Sequence, residues 1–171
     1  HAIALIQAAL RNGQPQSWMY ESLGIAMELA GSPKSDIERA VMSACDFSGD
    51  PDQLLMIGSY LAHIGLDERA IDVYQQVAKA EPLQHEAYAL GLRAAQRCQD
   101  VDAIRWATLG ILKQAWQDDQ AIVRNSAFRV AKATLDQMRS KGQTAAADQY
   151  EQELNNALIR DCVVRVSWSG D

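Results

Sequence analysis

Apolar residues recur at spacings of three and four along most of the chain, and the rhythm is clearest from Pro51 to Gln84. Leu54, Ile57, Gly58 and Leu61 fall on one helical face, followed by Ile64. Gly65 comes next, where a helix end favours positive φ. Asp67 then stands in position to cap a second helix with Ala70, Ile71, Tyr74 and Val77 on its apolar face. Glu81-Pro82 ends it, because proline cannot continue a helix and restricts the residue before it. Each helix spans about four turns, too short to be stable alone in water, so each must bury its stripe on a neighbour.

Flanking segments repeat the pattern. Tyr20, Leu23, Gly24 and Met27 reproduce the first-helix spacing, with Gly24 lying 34 residues before Gly58 and Gly31 lying 34 before Gly65. Ala87, Leu90, Gly91 and Ala94 reproduce it 33 residues on, and Ala103 follows Gly91 by twelve, as Ala70 follows Gly58. A mid-helix glycine costs roughly 1 kcal/mol against alanine, so its recurrence points to close packing of paired helices. Leu54, Ile57-Gly58, Leu61, Ala70-x3-Tyr74 and Pro82 together resemble the tetratricopeptide repeat, W-x2-L-G-x2-Y followed by A-x3-F and P at a period of 34.

The resemblance implies an all-α fold, a right-handed α–α superhelix: a solenoid of about three to four helical hairpins. Residues 1–13 read as the second helix of a truncated repeat with an exposed face, and 16–50, 51–83 and 84–117 as repeats. Residues 118–160 read as a degenerate or capping hairpin, so that 1–160 form the repeat domain of a larger multidomain protein. Matching Glu38-Arg39-Ala40 to Glu68-Arg69-Ala70 puts about four extra residues in the first repeat's turn. Ser35 with Glu38 has the form of a capping box, and Asp50-Pro51 that of a cap and first turn, with Gln53 placed to reach back. Asp100 is placed to cap the second helix of the third repeat, which extends through Trp116. Asp118-Asp119 opens a long helix to Lys141, and the last helix runs from Thr144 to Arg160. From Asp161 the period changes: Cys162, Val164, Val166 and Trp168 alternate with other residues, which predicts a short C-terminal β-strand over 161–171. It is expected to open a β-rich domain or to pair with another copy.

The composition agrees with helices: 48% hydrophobic but only 6% aromatic. The formal net charge of −6 supplies no overall footprint for phosphate backbones, so nucleic acid is not expected as a partner. No apolar run approaches membrane-spanning length, and no membrane insertion is expected. Cys45, Cys98 and Cys162 are far apart, with no CxxC, which argues against zinc and against a disulfide framework. His63 and His85-Glu86 have neither metal spacing nor triad partners, so no catalytic residue, metal or cofactor is expected.

Binding has more support. The resemblance implies that first helices line a concave face and that their non-core positions meet a protein or peptide. Those positions are Trp18, Glu21, Ile25 and Glu28, then Asp52, Leu55, Ser59 and His63, then His85, Tyr88, Leu92 and Gln96. None is the Lys or Asn of carboxylate-clamp members. Arg129 and Lys132, with Arg124, Arg139 and Lys141, would make the far end basic, orienting an extended or helical peptide. A pair between Lys132 and Asp136 is the simpler expectation for that face. Leu55, Tyr88 and Leu92 would form an exposed apolar patch; if the C-terminal helices bury them, the binding reading fails and a structural spacer positioning flanking domains gains. The first helix and the terminal strand are candidate self-association surfaces.

Overall fold

Helix ends fall where the punctuating residues lie. The computed structural model describes residues 1–114 and 121–168, with side chains to 158 in the last helix. Among the described residues it contains nine helices and no strand. They form two compact units, His1–Pro82 and Leu83–Asp171.

The first unit holds α1 (Ala2–Asn12), α2 (Ser17–Leu29), α3 (Lys34–Asp46), α4 (Pro51–His63) and α5 (Asp67–Ala80). α2 packs on α3 and α4 on α5. Gly31 and Gly65 close α2 and α4 at φ +68° and +74°, a region glycine enters without the Cβ penalty. Asp50 caps α4, its carboxylate accepting from the Asp52 N–H at 3.2 Å, with Pro51 in the first turn. Gln53 does not reach back; it accepts from the Ser48 hydroxyl at 2.9 Å and donates to Glu21 at 2.8 Å. The expected capping box is also absent. α3 starts directly after Pro33, and Glu38 instead accepts from Arg69 of α5 at 2.7 Å. Asp67 is the first residue of α5 rather than its cap, where its charge favours the helix dipole.

The first turn is longer by one residue, not four: Lys34 opens α3 ten residues after Gly24, and Asp67 opens α5 nine after Gly58. Packing confirms this register. A Cβ on Gly24 would lie 2.5 Å from Val41, and one on Gly58 would lie 2.6 Å from the Tyr74 ring. The Glu-Arg-Ala match was coincidental, because it sets α3 and α5 out of step by three residues relative to the glycine register. Gly58 therefore makes room for an aromatic ring that is almost fully buried, as well as letting the helices approach.

The second unit holds α6 (His85–Cys98), α7 (Val101–Leu112), α8 (Ala121–Ser140) and α9 (Thr144–Trp168). Asp100 caps α7 as expected, accepting from the Ala103 N–H at 3.0 Å. α7 ends at Leu112; the expected extension to Trp116 and the start at Asp118-Asp119 lie outside the described residues. Leu109, Leu112, Ala131, Leu135, Met138, Ala147, Tyr150 and Leu154 form the core between α7, α8 and α9. Inside it the Tyr150 and Thr108 hydroxyls bond at 2.6 Å, so two fully buried polar groups satisfy each other. At its edge Arg105 grips Glu153 through two nitrogens, at 2.9 and 2.5 Å.

The expected C-terminal strand does not form: residues 161–168 continue α9 to Trp168. A helix satisfies its backbone groups internally, whereas a lone strand leaves them unpaired. Residues 169–171 lie outside the described residues.

Candidate functional site

Successive hairpins of the first unit are stitched together along α2 and α4. Glu21 accepts from Ser17 of its own helix at 2.9 Å and from Gln53 of α4 at 2.8 Å. Glu28 accepts from the Tyr60 hydroxyl of α4 at 2.6 Å. The two ties are 32 residues apart in sequence each time, so they are one contact made twice, a helical turn and more apart. Arg69 to Glu38 makes the corresponding link between α5 and α3. Partial burial, then the hydrogen bond and charge of Glu28, push the Tyr60 phenol well above its ordinary range. Glu21 and Glu28 thus each hold a hydrogen bond across to α4, Glu21 partly buried and Glu28 still exposed.

Beside this seam stands an apolar stripe. Trp18, Ile25 and Leu29 occur at i, i+7 and i+11, one straight line on α2, and are 59%, 47% and 85% exposed. On α4, Met56 is 64% exposed and lies within one turn of both Gln53 and Tyr60. Asp52, Ser59 and His63 are exposed on the same helix. The Ser59 hydroxyl lies 3.4 Å from that of Tyr74. α1 buries no residue, and its Leu5 is exposed.

The expected patch of Leu55, Tyr88 and Leu92 is not on the surface. These side chains are 5%, 9% and 6% exposed. Tyr88 lies against Gly110 of α7, where a Cβ would come within 2.0 Å of the ring, and its ring centroid is 5.3 Å from that of Trp106. Burial raises its phenol pKa. The reason for the error is local. Leu54-Leu55 and Ala87-Tyr88 are adjacent apolar pairs, and both members of each pair enter the core.

In the second unit Gln96 and Arg129 do converge. They line one cleft of about 470 Å³ formed by the end of α6, the start of α7 and one side of α8. Val101, Ile104, Val130 and Ala133 supply its apolar lining. Lys132 points to the other side of α8, into a second cleft of about 430 Å³ shared with Arg139 and Glu151. The expected pair with Asp136 is not made; the Lys132 ammonium lies 5.1 Å from the centre of the Phe128 ring. Arg139 is held by Asp148 and Glu151. Sequence reasoning missed Leu29, Met56 and Gln99. Leu29 was signalled by its spacing from Trp18 and Ile25; the other two carried no local signal.

Charge is divided unequally. Residues 1–82 hold 5 basic and 11 acidic side chains, and residues 83–171 hold 11 of each. Among the described residues no three His, Cys, Asp or Glu side chains form a group able to hold a metal ion. None of their helices is long and apolar enough to cross a membrane. Cys45 is buried beside Asp46, and desolvation followed by that charge pushes its thiol up to about 11, which makes it a poor nucleophile. Comparison with known proteins finds no matching family model, no matching curated protein and no matching solved structure.

Proposed function

We propose that the chain is a protein-interaction scaffold of the tetratricopeptide type, and that its first unit receives a partner helix on the outer face of α2 and α4. The right-handed winding of α2–α3 onto α4–α5 belongs to that reading. The observation that carries it is the exposed line of Trp18, Ile25 and Leu29 with Met56 beside it. Large contiguous apolar side chains in water mark contact surfaces more often than chance exposure. The segments forming α2 and α4 contain no Lys or Arg, while Glu21, Glu28 and Asp52 are acidic. The fitting partner is an amphipathic helix with apolar anchors and flanking Lys or Arg.

A peptide library displayed on phage tests this. Selection on the wild type is expected to enrich basic amphipathic sequences. Trp18→Ala with Leu29→Ala is expected to weaken those binders about tenfold or more, with unchanged thermal unfolding. The burial of Leu55, Tyr88 and Leu92 favours the second reading, a structural spacer without a ligand of its own. Failure of any peptide to enrich above background would decide for the spacer.

A further inference from the structure

The cleft of the second unit has a composition that selects a ligand. Arg129 supplies its only cationic side chain, and no carboxylate lines it. Arg139 and Arg105 are occupied by ion pairs, whereas Arg129 has no ion-pair or hydrogen-bond partner among the described residues. Gln96, Gln99 and Gln137 also line the cleft. Each amide carries donors and an acceptor, the complement of a peptide unit, and none of these three has an internal side-chain partner among the described residues. Val101, Ile104 and Val130 give apolar contact between them. The volume of about 470 Å³ is within the range of ligand sites.

Gln99 adds an independent observation. Gly31, Gly65 and Gly142 close their helices at positive φ, but the residue closing α6 at φ 58° is Gln99. It is the one non-glycine in that region among the described residues. A side chain is disfavoured there, yet this one is present and lines the cleft. Strain retained at a cleft points to use rather than to packing.

We propose that this cleft binds an extended peptide segment bearing an acidic side chain. The Arg129 guanidinium takes the carboxylate, the glutamines pair with the peptide backbone, and the apolar lining receives a neighbouring side chain. This site lies on a different unit from the α2–α4 face and stands without it.

The test uses arrays of blocked pentapeptides with random flanks and Glu, Gln or Lys fixed at the centre. Blocking both ends leaves the central side chain as the only constant charge. The Glu array is expected to bind the full chain about tenfold better than the Gln array, the scale of one charge-assisted hydrogen bond. Arg129→Gln is expected to erase that preference without changing the unfolding curve. Gln99→Gly is expected to raise the unfolding midpoint by about 2–4 °C by relieving the backbone, while weakening the Glu peptides. Equal binding of the three arrays, or an undiminished preference in Arg129→Gln, overturns the proposal. So does Gln99→Gly that melts higher and binds as before. Free glutarate competing as well as the peptides would assign the site to small carboxylates and overturn the peptide reading.

Discussion

The two units solve the same packing problem with opposite placements of one ring. In α4–α5 the glycine is on the first helix, Gly58, and the ring on the second, Tyr74. In α6–α7 the ring is on the first helix, Tyr88, and the glycine on the second, Gly110. In the register set by Gly58 and Gly91, Tyr88 stands where the earlier hairpin has Leu55, and Ala107 stands where it has Tyr74. All four positions are buried. Large and small have exchanged helices while each interface keeps one tyrosine against one glycine. The comparison teaches that a tyrosine-on-glycine contact can be built with either helix of the hairpin supplying the ring. It also explains why a position exposed in a family pattern is interior here. The units differ in charge as well: one is strongly acidic, and the other is balanced.

Removing the rings is the largest perturbation. Tyr74→Ala in the first unit and Tyr88→Ala in the second are each expected to cost about 3–5 kcal/mol. Hydrogen exchange should show the loss concentrated in the unit substituted; equal loss in both units by each variant would break the comparison. Filling the glycines comes next. Gly110→Ala should cost about 1–3 kcal/mol in urea unfolding, because the ring clash outweighs the gain in helix propensity. Gly58→Ala should cost less, since its Cβ would lie 2.6 Å from the ring rather than 2.0 Å.

The ties should be weaker than the packing. Arg105→Ala is expected to cost about 1–2 kcal/mol, combining a partly buried ion pair with lost stem packing. Its pair holds the Glu153 carboxyl below its ordinary value. That contribution is present above the ordinary glutamate range and disappears as pH falls through the lowered value. Tyr60→Phe should cost about 1 kcal/mol at neutral pH. Its pH dependence has the opposite direction. The Tyr60 phenol is raised, so its contribution is complete below about pH 10 and is lost as pH rises through the folded value. Urea midpoints of wild type and Tyr60→Phe should therefore converge in strong alkali, and a constant gap would remove the hydrogen bond to Glu28 from the account.

Most helix boundaries were legible because each rests on one local residue: Gly31, Gly65 and Gly142 at positive φ, Pro51 in a first turn, Asp50 and Asp100 as caps. Faces were less legible. Leu54-Leu55 presents two apolar residues where the stripe needs one, and only the partner's shape decides which are covered. Glu21 and Glu28 look like ligand-facing charges until α4 brings Gln53 and Tyr60 to them. The alternation after Asp161 suits a strand, but its β-branched residues are also admitted by a helix, and α9 continues through it. The cleft was half legible: Gln96 and Arg129 were singled out on separate helices, and only the packing of α6, α7 and α8 joins them.

The exchanged tyrosine has a consequence for anyone recombining these hairpins. A consensus unit built by averaging aligned positions would draw Gly58 or Gly91 for one site, and Leu55 or Tyr88 for another, without regard to what faces each. Choosing Tyr74 together with Tyr88 and Val77 would crowd the interface with two rings, and Gly91 with Ala107 and Leu55 with Gly110 would leave it hollow. The heritable unit is the facing pair, so shuffling should be done by whole hairpins, cut in the segments between them at 47–50 or 81–84, never column by column.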